Sequence, residues 1–473
     1  MNYEAIIGME VHAELLTQSK MFCRCSADFF GEEPNTLTCP VCTGMPGVLP
    51  VINQKAVEYA IMTALALNCK IAEASVFSRK NYFYPDLPKA YQISMYDLPL
   101  SENGWLEIEG DGNSKRIGIE RVHLEEDTAK LFHVNEHSLV DFNRSGVPLM
   151  EIVSRPDMRS ADEAYAYLTK LHQILRYLGV SSGDMEKGAM RCEANVSLRP
   201  AGSTEYGTKV EVKNLNSFRS VKLALDYEIQ RQSQILDKGG NIEQVTMGWD
   251  ENRGVTVVQR SKEYAHDYRY FPEPDLPPLS ISREWVEEIK GKLPELPDTR
   301  RDRFITEYGL SAYDADVLTT DKAVADYFEA CVQAYPEAKT VTNWITGELF
   351  RLLKETETGI EEVRIPPPAL AELLSLVEKG TINQNTAKAV LGEMFKSGRA
   401  AAEIVAEKGL AQISDADELG RVIDEMIAAN PDQVAEYRAG KERLLGWFVG
   451  QVMKATRGKA DPQLVTELLK EKL

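Results

Sequence analysis

Four segments of this chain alternate apolar and reactive polar residues one for one. That pattern requires extended backbone with two unlike faces. In Gly8-Met9-Glu10-Val11-His12, Glu10 and His12 share a face while Met9 and Val11 point away. Arg191, Glu193, Asn195 and Ser197 share a face further along, as do Lys209, Glu211 and Lys213, and Asp141 and Asn143 flank Phe142 likewise. A plain solvated strand mixes Lys, Glu, Thr and Ser, without histidine or such a concentration of acids. The four segments predict an antiparallel sheet, its back packed on a core and its front concave and polar.

That front suggests chemistry. Glu10 and His12 on one face are suited to a single metal ion. The run Arg121-Val122-His123-Leu124-Glu125-Glu126-Asp127 adds three carboxylates. Alternation groups Glu125 with Arg121 and His123, and sends Glu126 the other way unless the strand has ended, so either Glu is open as the inward one. Crowded carboxylates repel one another unless a cation sits among them. Oxygen ligands with one imidazole suit Mg²⁺ or Mn²⁺, commonly bridging to nucleotide phosphates. The segment from Arg79 to Gln92 interleaves Lys80 and Lys89 with Tyr82, Phe83, Tyr84 and Tyr91. Aromatic faces stack on bases and cations hold phosphate, although a tyrosine-rich loop against the core has the same composition.

Cys23-x-Cys25 followed by Cys39-Pro40-Val41-Cys42 has the spacing of a four-thiolate zinc ribbon. A closed site of that kind offers no open position for substrate, so the expected zinc is structural. Cys69, Cys192 and Cys331 read as small buried residues.

At 473 residues the chain is too long for one core. Residues 1–293 read as strand-rich, with helices from Ser160 to a stop at Gly179 and from Ser217 to about Lys238. The proline-dense Tyr268–Pro278 suits extended chain at a sheet margin or a linker. After it the pattern turns helical, with Pro366-Pro367-Pro368 between two helical stretches and a seam near Gly409–Ser414. The expected divisions are 1–293, 294–408 and 409–473. Trp447 and Phe448 are read as core of the last one. A net charge of −19 argues against a general nucleic-acid coat. Residues 437–473 nonetheless hold eight Lys/Arg, Arg457 among them, against four acids, which is either a solvated helical face or a local RNA grip. No apolar run approaches the roughly 20 residues of a membrane span. The N-terminal run lacks a secretion pattern, so a cytoplasmic location with reduced cysteines is expected.

Longer words make a resemblance specific. IGMEVHAEL, FSRKNYFYPDLPKAYQIS, HLEEDTAK, LVDFNRSGVPLMEIVS, MRCEANVSLRP, KVEVKNLNSF and DYRYFPEPDLPPL together resemble the B-subunit family of the tRNA-dependent amidotransferases, across the whole chain. The resemblance implies an α+β chain: an N-terminal cradle domain around an antiparallel sheet, an all-α helical domain, and a small α-helical (YqeY-like) tail that grips the tRNA body. It implies a ligase that converts Glu-tRNA(Gln) to Gln-tRNA(Gln), Asp-tRNA(Asn) to Asn-tRNA(Asn), or both. ATP and Mg²⁺ would activate the carboxylate, and ammonia would come from a glutaminase A subunit. A small C subunit, and the mischarging synthetase, are further expected partners. Carried onto this sequence, Glu10, His12, Glu125 or Glu126, and Glu193 form the metal shell. Lys89 and Glu126 line the ammonia exit. Lys80, Tyr82, Arg191, Asn195 and Lys213 contact phosphate or the tRNA 3′ end. The zinc-type quartet marks one version of the family. Two readings compete. A non-catalytic tRNA scaffold would gain nothing from acids facing phosphate. A stand-alone small-molecule carboxylate–amine ligase would need neither the basic tail nor the aromatic–cation loop.

Overall fold

The alternating segments are strands, and most of them join one sheet. The computed structural model describes residues 2–110, 113–261, 268–412, 416–456 and 459–473. It forms two units, Met1–Pro297 and Asp298–Leu473. In chain order the strands are β1 (Tyr3–Glu14), β2 (Lys70–Ile71), β3 (Ala74–Ser75), β4 (Ser78–Asn81), β5 (Tyr91–Ser94), β6 (Ser101–Gly110), β7 (Asn113–Glu126) and β8 (Lys130–Val134). They continue with β9 (His137–Asp141), β10 (Pro148–Ser154), β11 (Met190–Pro200), β12 (Val210–Leu215), β13 (Val245–Asp250), β14 (Val255–Ser261), β15 (Phe271–Pro272) and β16 (Leu279–Ser280).

The large sheet has nine strands in the order β14-β13-β12-β11-β1-β10-β7-β6-β2. Every neighbouring pair is antiparallel except β12 and β13, which run parallel. The exception follows from connectivity. A parallel pair needs a crossover, and helix α3 (Phe218–Asp237) lies between these two strands in the chain. The sheet is therefore mixed, not purely antiparallel as its alternation suggested.

Its apolar face packs on helices α1 (Gln54–Ala66), α2 (Ala161–Leu178) and α3. Met9, Val11, Leu124 and Ile152 from strands meet Ile61 and Leu168 from helices in one fully buried cluster. Each such side chain contributes about 1.5–3 kcal/mol on leaving water. Helix α2 starts as its spacing predicts, with Ser160 Oγ accepting from the Glu163 backbone N–H at 3.1 Å. The Glu163 carboxylate accepts from the Arg159 N–H instead of closing on Ser160. Gly179, at φ 66°, ends the helix. Helix α3 begins after Ser217 and ends at Asp237, with Lys238 as its cap before Gly239 at φ 74°. Helix α1 has no counterpart among the sequence expectations; Asn53 caps it.

Asp141 and Asn143 belong to no polar face of the large sheet. Asp141 ends β9, which pairs only with β8 in a separate hairpin. Its Oδ1 accepts from the Asn35 and Asn143 N–H groups, and Asn143 bonds both the Leu37 N–H and the Glu33 carbonyl. These two residues pin the 33–37 loop. The proline-dense segment is margin, as expected. Phe271–Pro272 extends the β4–β5 pair, and Leu279–Ser280 pairs with β3. Arg79 on β4 fixes it, with Nε and Nη2 each 2.7 Å from an oxygen of the buried Glu273.

The helical character begins earlier than residue 294, with α4 (Arg283–Lys290), whose Ile289 joins the first core. In the second unit the described residues form helices around two cores. Phe304, Phe328, Leu370 and Leu391 belong to one; Leu419, Ile423, Phe448 and Val465 belong to the other. Pro367 and Pro368 open the helix Pro367–Glu378, so the triplet does separate two helical stretches. Phe448 is core, but Trp447 is 37 % exposed and lies edge-on to it. Arg457 and part of the 409–414 seam lie outside the described residues.

Candidate active site

Strand register assembles the site. Across β7, β10, β1 and β11, His123 lies opposite Glu151, Glu151 opposite His12, and His12 opposite Arg191. Two residues along β1, Glu10 lies opposite Glu193, and Asn195 lies opposite Glu211 on β12. All but Asn195 line one cavity of about 420 Å³, which Lys80, Tyr82, Arg121, Lys213, Tyr268 and Tyr270 also border; Asn195 lines a neighbouring one. The β11–β12 pairing slips between Cys192 and Ala194, and Asn214 takes φ 59° there. Such bulges re-aim neighbouring side chains. Lys213 beside it reaches Glu193 at 2.7 Å.

Two groups of potential ligands result, where one shell was expected. Donor atoms of His12, Glu125 and Glu151 all lie within 4.8 Å of one another, and so do those of Glu10, Glu193 and Glu211. In the first group, Glu151 is 3.6 Å from His12 Nε2 and 3.1 Å from His123 Nε2. Ser94 Oγ donates to Glu125 at 2.6 Å and Gln92 Nε2 donates to it at 3.1 Å. In the second, Asn195 Nδ2 donates to Glu10 at 2.8 Å and Thr246 Oγ1 to Glu211 at 2.8 Å.

The electrostatics of the two groups differ. Burial opposes charge on His12, but Glu151 and Glu125 outweigh it and lift the imidazole to about 9. His123 is raised on the same balance. Burial also opposes charge on Glu125, yet His123 and Lys80 hold its carboxyl down at about 2. Glu151, buried between two imidazoles, stays well below the usual carboxylate range. Glu10 is raised, first by burial and then by Glu151, Glu193 and Glu211. In the first group the imidazoles and carboxylates thus favour charge on one another. One imidazole with two carboxylates also fits a hard divalent ion. The second group carries excess negative charge, offset locally by Lys213.

Lys80 and Tyr82 are half-buried in the cavity wall. The Lys80 ammonium lies 5.2 Å from the Tyr268 ring centroid, and Tyr82 meets Tyr268 edge-on. Burial works against the Lys80 charge, but Glu125 and the other nearby anions raise its pKa overall. Arg191 pairs with buried Asp127 on the far side of His12.

Glu126 joins neither group. Alternation persists to the end of β7, so Glu125 turns to the front and Glu126 to the back. There Glu126 accepts from the Ile93 N–H at 2.9 Å and from Lys89 at 2.7 and 2.8 Å. The pair borders a second cavity of about 210 Å³ together with Lys20, Cys23 and Cys42. The Sγ atoms of Cys23, Cys25, Cys39 and Cys42 lie within 4.8 Å of one another. Cys69, Cys192 and Cys331 are buried, as their reading predicts.

Residues 5–287 match the family model described as the GatB/GatE catalytic domain, and residues 326–473 match one described as the GatB domain. Over full length in both chains, this protein is 59 % identical to the B subunit of the aspartyl/glutamyl-tRNA(Asn/Gln) amidotransferase of Moorella thermoacetica. The chain belongs to the amidotransferase B-subunit family. Family members of the same description from Thermoanaerobacter pseudethanolicus and Thermodesulfovibrio yellowstonii are 57 % identical over 100 % of each chain and 58 % identical over 99 % of each chain. The segment matching the catalytic-domain model of the family contains both ligand groups, the Lys89–Glu126 pair and the cysteine quartet.

Sequence reasoning assigned no role to Glu151, Glu211 or His123. Glu211 and His123 were visible as polar-face residues. Glu151 was signalled by one acid in an otherwise apolar strand, Pro-Leu-Met-Glu-Ile-Val-Ser, but its partner strands are remote in sequence.

Proposed function

We propose that this chain is the component of a tRNA-dependent amidotransferase that activates the side-chain carboxylate of misacylated Glu-tRNA(Gln) or Asp-tRNA(Asn) with ATP and then amidates it. The observation that carries this reading is the pair of adjacent carboxylate groups on the sheet front, one of them including the His12 imidazole with His123 next to it, and with Lys80 and Lys213 beside both. A surface that only cradled RNA would gain nothing from buried acids facing phosphate.

Two steps satisfy the chemistry. A substrate carboxylate oxygen attacks the γ-phosphorus of ATP, the bond to the ADP oxygen breaks, and an acyl phosphate forms. Ammonia then attacks the acyl carbon, inorganic phosphate leaves with its bonding pair, and the nitrogen loses one proton. Lys80 and Lys213 reduce the repulsion between the carboxylate and the triphosphate. His12, Glu125 and Glu151, with Glu10, Glu193 and Glu211 beside them, would hold Mg²⁺, which supplies charge neutralisation during phosphoryl transfer. Tyr82 and Tyr268 offer faces for the 3′-terminal bases; Arg191 borders the same cavity, and Asn195 reaches its Glu10 from the neighbouring one. Lys89 and Glu126, which border the second cavity behind the sheet, would line the route by which ammonia reaches the front. Ammonia would enter from a glutaminase A subunit, with a C subunit completing the heterotrimer and the mischarging synthetase as a further contact. We assign 1–293 to catalysis, 294–408 to a helical domain and 409–473 to binding the tRNA body. We place the complex in the cytoplasm; no described helix is long and apolar enough to cross a membrane.

The decisive experiment mixes this chain with its A and C partners, Mg²⁺, γ-labelled ATP and Glu-tRNA, with no ammonia donor. Labelled acyl phosphate or phosphate that requires Glu-tRNA and disappears in Glu10→Gln is expected. Turnover that persists in Glu10→Gln would move the phosphoryl chemistry elsewhere and leave this chain as a scaffold.

Two further outcomes follow. Deleting 409–473 should weaken tRNA binding about tenfold and flatten its dependence on salt, as measured by filter binding, because phosphate contacts release counterions. An unchanged affinity removes the tail from the tRNA surface. The double change Cys39→Ser and Cys42→Ser should release zinc, read by emission spectroscopy, and lower the melting temperature. Unchanged metal content would mean that the quartet is not the site.

A further inference from the structure

Lys20 is fully buried beside the cysteine quartet. A lysine ammonium is almost never fully buried unless an anion accompanies it. Among the described residues, no carboxylate ion-pairs with it. Its three protons have three other acceptors: the Leu37 carbonyl at 2.9 Å, the Phe142 carbonyl at 3.3 Å and Cys42 Sγ at 3.7 Å. The carbonyls are neutral, so the compensating negative charge falls to sulfur. Cys42 Sγ also accepts from the Cys39 backbone N–H at 3.2 Å. Gly146 packs against Cys42 and Lys20 here, and its φ of +85° is what calls for glycine.

We infer that Lys20 is the built-in counter-cation of a zinc–tetrathiolate centre and sets how firmly that centre keeps its metal. The inference rests on reading the quartet as a zinc site. Four thiolates around Zn²⁺ leave an excess negative charge, which is costly away from water. The Lys20 ammonium offsets part of it. Its N–H···S contact also draws density from the Cys42 sulfur, in the manner of outer partners that tune metal ligands. The same ammonium ties the Leu37 carbonyl, two residues before Cys39, to the Phe142 carbonyl just after β9. The loop bearing Cys39 and Cys42 is thereby fixed through the cation that neutralises it. Without the metal centre, the buried Lys20 ammonium would keep only two neutral carbonyls and a single sulfur as partners, which penalises the metal-free state. Lys20 is thus a positioning residue for the centre, not a ligand.

The test follows zinc transfer from the full-length chain to a chromogenic chelator in wild type, Lys20→Met and Lys20→Gln. Release about 10–100-fold faster is expected in Lys20→Met. Lys20→Gln keeps amide donors without the charge and should fall between. A wild type without zinc overturns the reading of the quartet. A wild type that carries zinc, with release unchanged in both variants, overturns only the role of Lys20. If neither variant folds, the wild-type chain decides. Acetylation of Lys20 by acetic anhydride, normalised to other lysines and read by mass spectrometry, should rise at least about tenfold when zinc is stripped. Equal labelling with and without zinc overturns the inference.

Discussion

Glu151→Gln and His12→Ala should each slow ATP-dependent activation of Glu-tRNA by at least about a thousandfold, while tRNA affinity changes only a few fold. Glu151 is the group that both imidazoles approach, His12 at 3.6 Å and His123 at 3.1 Å. Neutralising it leaves two histidines to share the remaining buried carboxylate of Glu125, and removes an oxygen donor with full charge. His12→Ala removes the imidazole donor and leaves Glu125 and Glu151 facing each other. Neither residue lies on a loop or at the exposed rim, so the RNA surface is preserved. Single-turnover phosphate release and filter binding separate the effects. A parallel loss of tRNA affinity would show that these residues hold the fold and do not serve chemistry.

Arg79→Ala should destabilise the first unit by about 3–5 kcal/mol, the cost of stranding a buried charge. Glu273 has a side chain that is 0 % exposed, and Arg79 grips both its oxygens. Arg79 also lies 4.3 Å from the Tyr91 ring centroid, so truncation removes packing as well as charge. The unit should melt lower by at least about 5 °C. Arg79→Ala combined with Glu273→Gln should recover part of that loss, because no buried carboxylate is left unpaired. Denaturant unfolding measures both. The effect should also reach the active site. Tyr268 and Tyr270 border the cavity and precede the strand Phe271–Pro272 that this ion pair holds down. A single variant as stable as wild type would mean that the pair is dispensable.

Much of the architecture was legible because strand periodicity is strict. Glu10 with His12, and Arg191 with Glu193 and Asn195, face the front as their spacing requires. Ser160, Gly179, Ser217 and Gly239 mark helix ends by local chemistry alone. What stayed hidden depends on distance. That Glu151 meets His12 follows from the pairing of β10 with β1, segments separated by well over a hundred residues, and no periodicity reports which strands become neighbours. The choice between Glu125 and Glu126 turned on whether β7 continued through residue 126, a matter of strand length that neither side chain encodes. Asp141 and Asn143 had the right alternation but belong to a hairpin and a turn. Lys20 carried no signal at all, since a lone lysine in sequence reads as solvent-facing.

The row His123, Glu151, His12 and Arg191 also constrains how genes of this kind can change in length. Inserting one codon within β10 ahead of Met150, with the upstream pairing kept, would turn the Glu151 carboxylate to the apolar back of the sheet and bring Met150 to face His12. The same insertion at the tip of the β8–β9 hairpin, which pairs with no strand of the large sheet, leaves every facing partner in place. Length variation is therefore tolerable in that hairpin and forbidden a few residues downstream. A frame-preserving insertion scan across residues 130–154 should draw that boundary as a sharp edge.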